Sequence, residues 1–381
     1  MARAIYLHIG VPKAATTFLQ SVMWHNKEVL AQQGVLYPGR RRSDHYRASQ
    51  LVQGRRVRQA GDNAASWDRI IADLADWSGD GLISHEFFCM ATTTQAKTAV
   101  ERLSPAQVHV VLTARDYVRQ FPAAWQQALK MDCDLSLDEF MDRALRFDLP
   151  GRWGWQSQDV PAIISRWLGA VPPQNMHLVT VPPPDSPGVL WRRWCDVIGV
   201  DPDAFDLGVA SSNQSLGAPQ AALLRHISPL LSAPLDFAPE RYRWFRRYFG
   251  QEVLSAQTGP RIGLRRHQAE QLRALSLDAV ASIAELGCEV HGDLEELIPE
   301  TEQASRPHPD DVSDSEMLQV ASLAIETMLR DRRLLILERD RLRRRSRRAL
   351  PRSVRTVARR ARRTLRRRHS AEPSARGVGR G

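Results

Sequence analysis

The sequence predicts an α/β protein with a mostly parallel central sheet flanked by helices, an α-helical C-terminal part and a basic tail. Three observations carry this expectation. Short apolar runs of strand character at 5–9, 81–86, 108–113 and 176–181 alternate with segments of helical period. The first three runs lead directly into ionisable residues: Lys13, then His85 and Glu86, then Arg115 and Arg119. From about residue 217 the strand signals stop and helical patterns continue alone.

The elements follow in order. Residues 5–9 are apolar enough for a buried strand, and Gly10 and Pro12 break the run. Leu19, Val22, Met23, Val29 and Leu30 then fall on one side of a helix that Gly34 is placed to end. Residues 34–38 read as a short strand. Residues 40–58 read as mostly loop around a short helix, with Ser43, Asp44, His45 and Tyr46 inside it. A helix at 66–77, the strand at 81–86 and a helix at 93–103 come next. The strand at 108–113 opens through Ala114 and Arg115 into a long helical stretch that runs to Lys130. Residues 137–145 are helical, 150–158 form a loop rich in Gly and Trp, 160–169 are helical, 176–181 are strand and 189–198 are helical. Helical segments at 217–231, 239–256 and 265–286 are expected to complete the same domain without further strands. The expected organisation is one domain over 1–300, a polar linker at 301–315, a long helix at 314–349 and an Arg-rich tail at 350–381 that is disordered or binds a surface.

The chain of 381 residues is 43% hydrophobic, enough for a large core. It lacks the run of about 20 apolar residues that a membrane-spanning helix needs. Its first apolar run is too short for a secretory signal. Cys89, Cys133, Cys195 and Cys288 lie far apart without metal-ligand spacing, so they read as buried thiols in a reducing cytoplasm. The net charge of +10 is unevenly placed. Residues 341–381 hold 17 Arg and one acid, Glu372, whereas the rest has 36 basic against 42 acidic residues. The body is therefore mildly acidic, and the basicity belongs to the tail.

A strand, a tight turn carrying Lys13 and the start of a helix make a phosphate-binding arrangement. The first helical turn has free N–H groups and the positive end of the dipole, and Thr16 and Thr17 add hydroxyl donors. The loop is not a Walker A motif, because Lys13 lies three residues before the first Thr and no Gly precedes it. In open parallel sheets, ligands sit beyond the carboxyl ends of the strands. The Lys13 loop, His85 with Glu86, and Arg115 with Arg119 all fall there. Arg115 and Arg119, four apart at a helix start, are expected to share a face suited to phosphate. His8, inside the first strand, reads as a core histidine. Trp153 and Trp155, in the Gly-rich loop, are candidates to stack on a sugar.

Pro12, Lys13, Thr16 and Thr17 resemble the 5′-phosphosulfate loop of sulfotransferases that use 3′-phosphoadenosine 5′-phosphosulfate (PAPS), which reads roughly Pro-Lys-x-Gly-Thr-Thr. Ala15 stands where that family has Gly, a cost on the order of 1 kcal/mol if the backbone there is left-handed. The segment through Arg115 resembles the family's 3′-phosphate segment, in which a Ser follows the Arg by some eight residues; here that position is Ala123. The resemblance covers residues 4–200. It implies a P-loop-like α/β fold in which Pro12, Lys13, Ala14, Ala15, Thr16, Thr17, Arg115 and Arg119 hold PAPS. The implied reaction is in-line transfer of a sulfuryl group to an acceptor hydroxyl, on a carbohydrate or a glycolipid. Lys13 and the loop amides would neutralise the bridging oxygen, and Glu86, His85 or His45 would act as base, Glu86 being favoured because it ends a central strand. This chemistry calls for no metal.

Two other readings stay open. A phosphotransferase would need Mg²⁺ and an acidic pair to hold it. A non-catalytic nucleotide-binding homologue is kept open by Ala15 and Ala123. The tail, with Val354, Val357, Ala358, Ala361 and Leu365 at helical spacing among arginines, fits an anionic membrane surface at the inner face of the membrane. A solvated arm fits equally well, and nucleic acid is less favoured because no aromatics are interleaved.

Overall fold

The structure, a computed structural model, describes residues 1–55, 63–131, 133–149, 151–183, 186–208, 215–300 and 306–349. Six strands, β1 Ala4–Gly10, β2 Val35–Leu36, β3 Asp80–Ser84, β4 Gln107–Ala114, β5 Met176–Thr180 and β6 Glu289–His291, form one sheet in the order β2-β3-β1-β4-β5-β6. Every neighbouring pair is parallel. The order in which strands are added reverses between β1 and β4, with all strands still parallel. The connection from β1 runs toward β3 and β2, and the connection from β4 runs toward β5 and β6. That reversal is a topological switch point, where a crevice opens beyond the strand ends.

The helices that frame the sheet and the crevice are α1 Thr16–His25, α2 Arg42–Val52, α3 Asn63–Ala75, α4 Tyr117–Leu129, α5 Val160–Leu168 and α6 Pro187–Ile198. The sheet alternates its side chains between two cores. On one face Leu82, Val111 and Val179 meet Leu19, Val22 and Met23 of α1 and Trp191 and Trp194 of α6. On the other, Ile5, Leu7, Ile9, Val110 and Leu112 meet Trp67, Ile70 and Leu74 of α3 and Ile163, Ile164 and Trp167 of α5. His8 is fully buried between the strands, its Nδ1 2.7 Å from Ser84 Oγ, as expected of a core histidine. Burial pushes its pKa down to about 3.

The structure corrects the expected elements in three places. The expectation that strands end by residue 217 fails at β6, which pairs with β5 from His177 opposite Glu289 to Val179 opposite His291. A three-residue edge strand with a single apolar residue, Val290, has no periodicity to read. The stretch expected to be mostly loop holds the full-length helix α2, because Asp44 caps it by accepting from the amides of Arg40 and Arg41 at 3.0 and 3.1 Å. Residues Arg241–Leu254, read as an ordinary helix, are wound as a π-helix, a form that recurs at functional sites.

The chain divides into two compact units, Met1–Val320 and Ala321–Gly381. Within the first, the described part of the polar stretch after residue 305 is docked rather than free. Asp310 accepts from the amide of Asp138 at 2.9 Å, and Arg265 pairs with Asp138 and Asp311 at 2.9 and 2.6 Å. The second unit continues the helix Asp314–Ala349, along which Leu329, Leu335 and Leu342 are exposed. Residues 301–305 and the Arg-rich tail 350–381 lie outside the described residues. No helix among the described residues is long and apolar enough to cross a membrane.

Candidate active site

The site begins where β1 stops. Gly10 has φ 111°, and a Cβ on it would lie 2.7 Å from the carbonyl oxygen of Glu86, so only glycine lets the β1 end approach the turn after β3. The loop is then pinned from β4 and α4. The amide of Val11 donates to Thr113 O at 2.8 Å, Thr113 Oγ1 donates to Ala14 O at 2.9 Å, and Gln120 Nε2 donates to Pro12 O. Ala14 is buried in the core, whereas Pro12, Lys13, Ala15, Thr16 and Thr17 line a cavity of about 1880 Å³. No side chain caps α1 at Ala15, which leaves its first-turn amides to a ligand.

Lys13 and Ala15 have left-handed backbone, φ 72° and 56°. Ala15 thus stands at a position that favours glycine. Ala15→Gly is expected to stabilise the protein by roughly 1 kcal/mol, read as a higher urea midpoint at unchanged slope. An unchanged or lower midpoint would contradict a strained Ala15.

The cavity opens at the switch point and is strongly cationic. Among the described residues, eight Lys and Arg side chains line it, including Lys13, Arg115, Lys130, Arg152 and Arg246, against one carboxylate, Glu86. Burial, and then Arg115, lowers the Lys13 pKa to about 8. Burial, and then Lys13, lowers Lys130 to about 8 as well. Arg115 is pushed down to about 10 by burial and by Arg119. Its Nε donates to Gln120 Oε1 at 2.8 Å, but among the described residues its buried Nη2 has no hydrogen-bond partner, and neither has the buried Nε2 of Gln127. Clustered cations with lowered pKa values, beside donors left without acceptors among the described residues, form a surface suited to a polyanion.

Two helix faces each contribute a row of four residues to the wall. Ala123, Gln126, Gln127 and Lys130 lie at i, i+3, i+4 and i+7 along α4 and its C-terminal cap, and all four line the cavity. Ser43, Tyr46, Arg47 and Gln50 do the same on α2. That geometry decides against His45, whose side chain points the other way into the core. Its Nε2 lies 2.9 Å from Pro38 O and its Nδ1 accepts from the Ser84 amide at 3.2 Å, so both ring nitrogens are committed to backbone. Burial holds its pKa at about 4. The candidate base His45 is therefore a structural residue joining α2 to β3.

Arg119 is also displaced from its expected place. Its guanidinium pairs with Asp116 and donates to Val181 O and Pro182 O at 3.1 and 3.0 Å; Val181 lines the cavity, but Arg119 itself does not. The expected shared face fails because α4 begins only after its N-cap Asp116, so Arg115 lies on non-helical backbone. Arg115 and Arg119 consequently diverge.

His85 and Glu86 both line the cavity. His85 caps the short turn Glu86–Met90, with Nδ1 accepting from the Phe87 amide at 3.2 Å. Burial holds its pKa below the usual imidazole value, so the neutral ring carries its proton on Nε2 and presents a donor. For Glu86, burial would raise the pKa. The charge of His85 when it is protonated, the residue's own amide and Gln20, whose Nε2 donates to Oε2 at 3.1 Å, overcome that and hold it below the usual carboxylate value. Glu86 is ionised at neutral pH and is the acceptor of the pair. Of the two loop tryptophans, Trp153 lines the cavity next to Phe87, at 5.8 Å between rings. Trp155 is held away from it, donating to Ala144 O at 2.6 Å and stacked on Phe147.

Sequence reading missed Lys130, Gln120, Thr113 and Arg246. Lys130 had a signal, since it falls one helical face along from Ala123. Thr113 and Gln120 act on backbone carbonyls of a distant loop, and Arg246 arrives on the π-helix, so none of these three has a local signature.

No protein-family model matches the chain, and no curated protein matches it. Among solved structures, the chain is similar to a sulfotransferase from Alicyclobacillus acidocaldarius, with 14% identity and a TM-score of 0.42 over 78% of this chain and 99% of that one.

Proposed function

We propose that the protein is a PAPS-dependent sulfotransferase acting on an acceptor hydroxyl. The observation that carries this reading is the convergence of Lys13, Arg115 and Lys130 with one ionised carboxylate, Glu86, in a single cavity at the switch point. The 5′-phosphosulfate would rest on the uncapped start of α1 and on Lys13. Arg115 and Lys130 would take the 3′-phosphate, with Lys130 supplying the charge where Ala123 supplies no hydroxyl. The acceptor hydroxyl oxygen attacks sulfur, and its proton passes to Glu86. The bond between sulfur and the bridging oxygen breaks, and the negative charge left on that oxygen is neutralised by Lys13 and the loop amides. The products are the sulfate ester and 3′-phosphoadenosine 5′-phosphate.

The cavity volume of about 1880 Å³ exceeds what a nucleotide alone occupies, pockets for one ligand being roughly 300–1,000 Å³. The remaining space is walled by Tyr46, Phe87 and Trp153, rings suited to the face of a sugar. That wall supports a carbohydrate or glycolipid as the acceptor. Incubation with ³⁵S-labelled PAPS and a panel of glycans tests the reading. Label is expected in a glycan with the wild type and not with Glu86→Gln. Label appearing at the same rate in both would contradict the assignment of Glu86.

The lysines set an alkaline limit. An anion binds their ammonium forms, and the free protein holds them near pKa 8. Binding raises those values, so above pH 8 each deprotonated lysine must take up a proton before the nucleotide binds. The dissociation constant of 3′-phosphoadenosine 5′-phosphate is expected to be flat between about pH 7, where its phosphates are ionised, and pH 8, and to rise above it by about tenfold per pH unit for each lysine. A flat profile to pH 10 by fluorescence or calorimetric titration would contradict the lysine assignment.

A further inference from the structure

A second group of polar side chains lies on one face of the sheet, toward the amino ends of the strands and outside the cavity lining. β4, β5 and β6 place His109, His177, Glu289 and His291 side by side. His177 Nδ1 lies 3.1 Å from His291 Nε2 and 3.1 Å from Glu289 Oε2, and His291 Nε2 lies 3.7 Å from Glu289 Oε1. Around a Zn²⁺ with bonds of about 2.0–2.1 Å, tetrahedral ligand atoms are separated by about 3.3–3.4 Å, close to the 3.1 Å between His177 Nδ1 and each of its two partners. All three ligand atoms lie within 4.8 Å of one another.

The neighbouring group also fits. If Nδ1 of His177 is the ligand, Nε2 must carry the proton, and His109 Nδ1 stands 2.8 Å from it as acceptor. A metal-binding histidine normally has such a partner on its other nitrogen, which fixes the tautomer and the ring. The side chain of His177 is 7% exposed and that of His291 17%, while Glu289 is 53% exposed at the sheet edge, which leaves an approach for an ion and a fourth ligand from water.

We propose that His177, Glu289 and His291 form a binding site for a divalent transition ion, zinc by preference, that clamps the three-residue edge strand β6 to β5. Two imidazoles and one carboxylate suit Zn²⁺, and hard ions such as Mg²⁺ prefer all-oxygen sets. His109 is a positioning residue. The site is independent of the sulfuryl-transfer reading.

Untagged full-length protein, stripped with a chelator, is titrated with Co²⁺ while its visible bands are recorded. Zn²⁺ then competes against a chromophoric chelator. One equivalent of Co²⁺ is expected, displaced by Zn²⁺, with an unfolding midpoint that rises on loading and falls again with EDTA. His291→Ala and Glu289→Ala are expected to weaken binding at least about a hundredfold, and His109→Ala about 10–100-fold. His308→Ala, in the separate cluster with Asp138 and Asp310, is expected to leave it unchanged. Absence of uptake by the wild type overturns the proposal whatever the variants do. So does uptake that His291→Ala and Glu289→Ala, shown folded by circular dichroism, leave intact; the four side chains would then be a hydrogen-bonded chain only.

Discussion

Replacing Lys13 by alanine is expected to weaken binding of 3′-phosphoadenosine 5′-phosphate by roughly 30- to 1,000-fold at pH 7, without destabilising the free protein. The loss follows from removing a largely desolvated ammonium placed to face a phosphate, an interaction of about 2–4 kcal/mol. The second half of the expectation is the more discriminating. In the free protein Lys13 is desolvated and repelled by Arg115, which is why its pKa falls to about 8. Deleting it relieves that repulsion, so the thermal midpoint should stay or rise while affinity collapses. Loss of both together would mean that Lys13 holds the loop rather than the ligand. Calorimetry and a thermal melt on the same preparation separate the two outcomes.

Glu86→Gln is expected to lower turnover by about 10²–10⁴-fold while leaving the nucleotide dissociation constant within about threefold, the signature of a proton acceptor used only in the transition state. Gln at this position can still accept from Gln20, whose Nε2 reaches Oε2 at 3.1 Å, so the local structure should survive. The acid limb of the wild-type rate follows from the direction of the Glu86 shift. Glu86 acts only when ionised, and His85, its own amide and Gln20 outweigh burial to hold its pKa below the usual value. Activity should therefore persist through the ordinary carboxylate range as pH falls and be lost beneath it. A rate that already falls near pH 6 would instead point to an imidazole. Single-turnover rates on the wild type and on His85→Asn would then identify it.

The sheet was legible because β1, β4 and β5 are mostly apolar runs, interrupted by His8, His109 and His177, between the two cores they separate. The carboxyl-end rule then placed Lys13, Glu86 and Arg115 together before any contact was known. What stayed hidden has physical reasons. β6 is a strand only because β5 offers it a hydrogen-bonding edge, so its residues show no pattern of their own. His45 and Arg119 looked functional by type, yet each is committed to main-chain groups of a segment far off in sequence. Backbone acceptors carry no residue identity, so such a role has no signature. Lys130 was readable in principle from the i, i+7 relation to Ala123. Arg246 was not, because π winding changes which residues share a face. Ala15 was readable in full: the substitution of a glycine-type position and its left-handed backbone agree.

The measurement that bears most directly on the central assignment is a calorimetric titration of the wild type with 3′-phosphoadenosine 5′-phosphate, set beside ADP and ATP with Mg²⁺. Micromolar binding of the bisphosphate is expected, with ADP at least about tenfold weaker because it leaves the 3′-phosphate contacts of Arg115 and Lys130 unmade. A preference for ATP with Mg²⁺, or no binding of the bisphosphate, would contradict the sulfotransferase assignment.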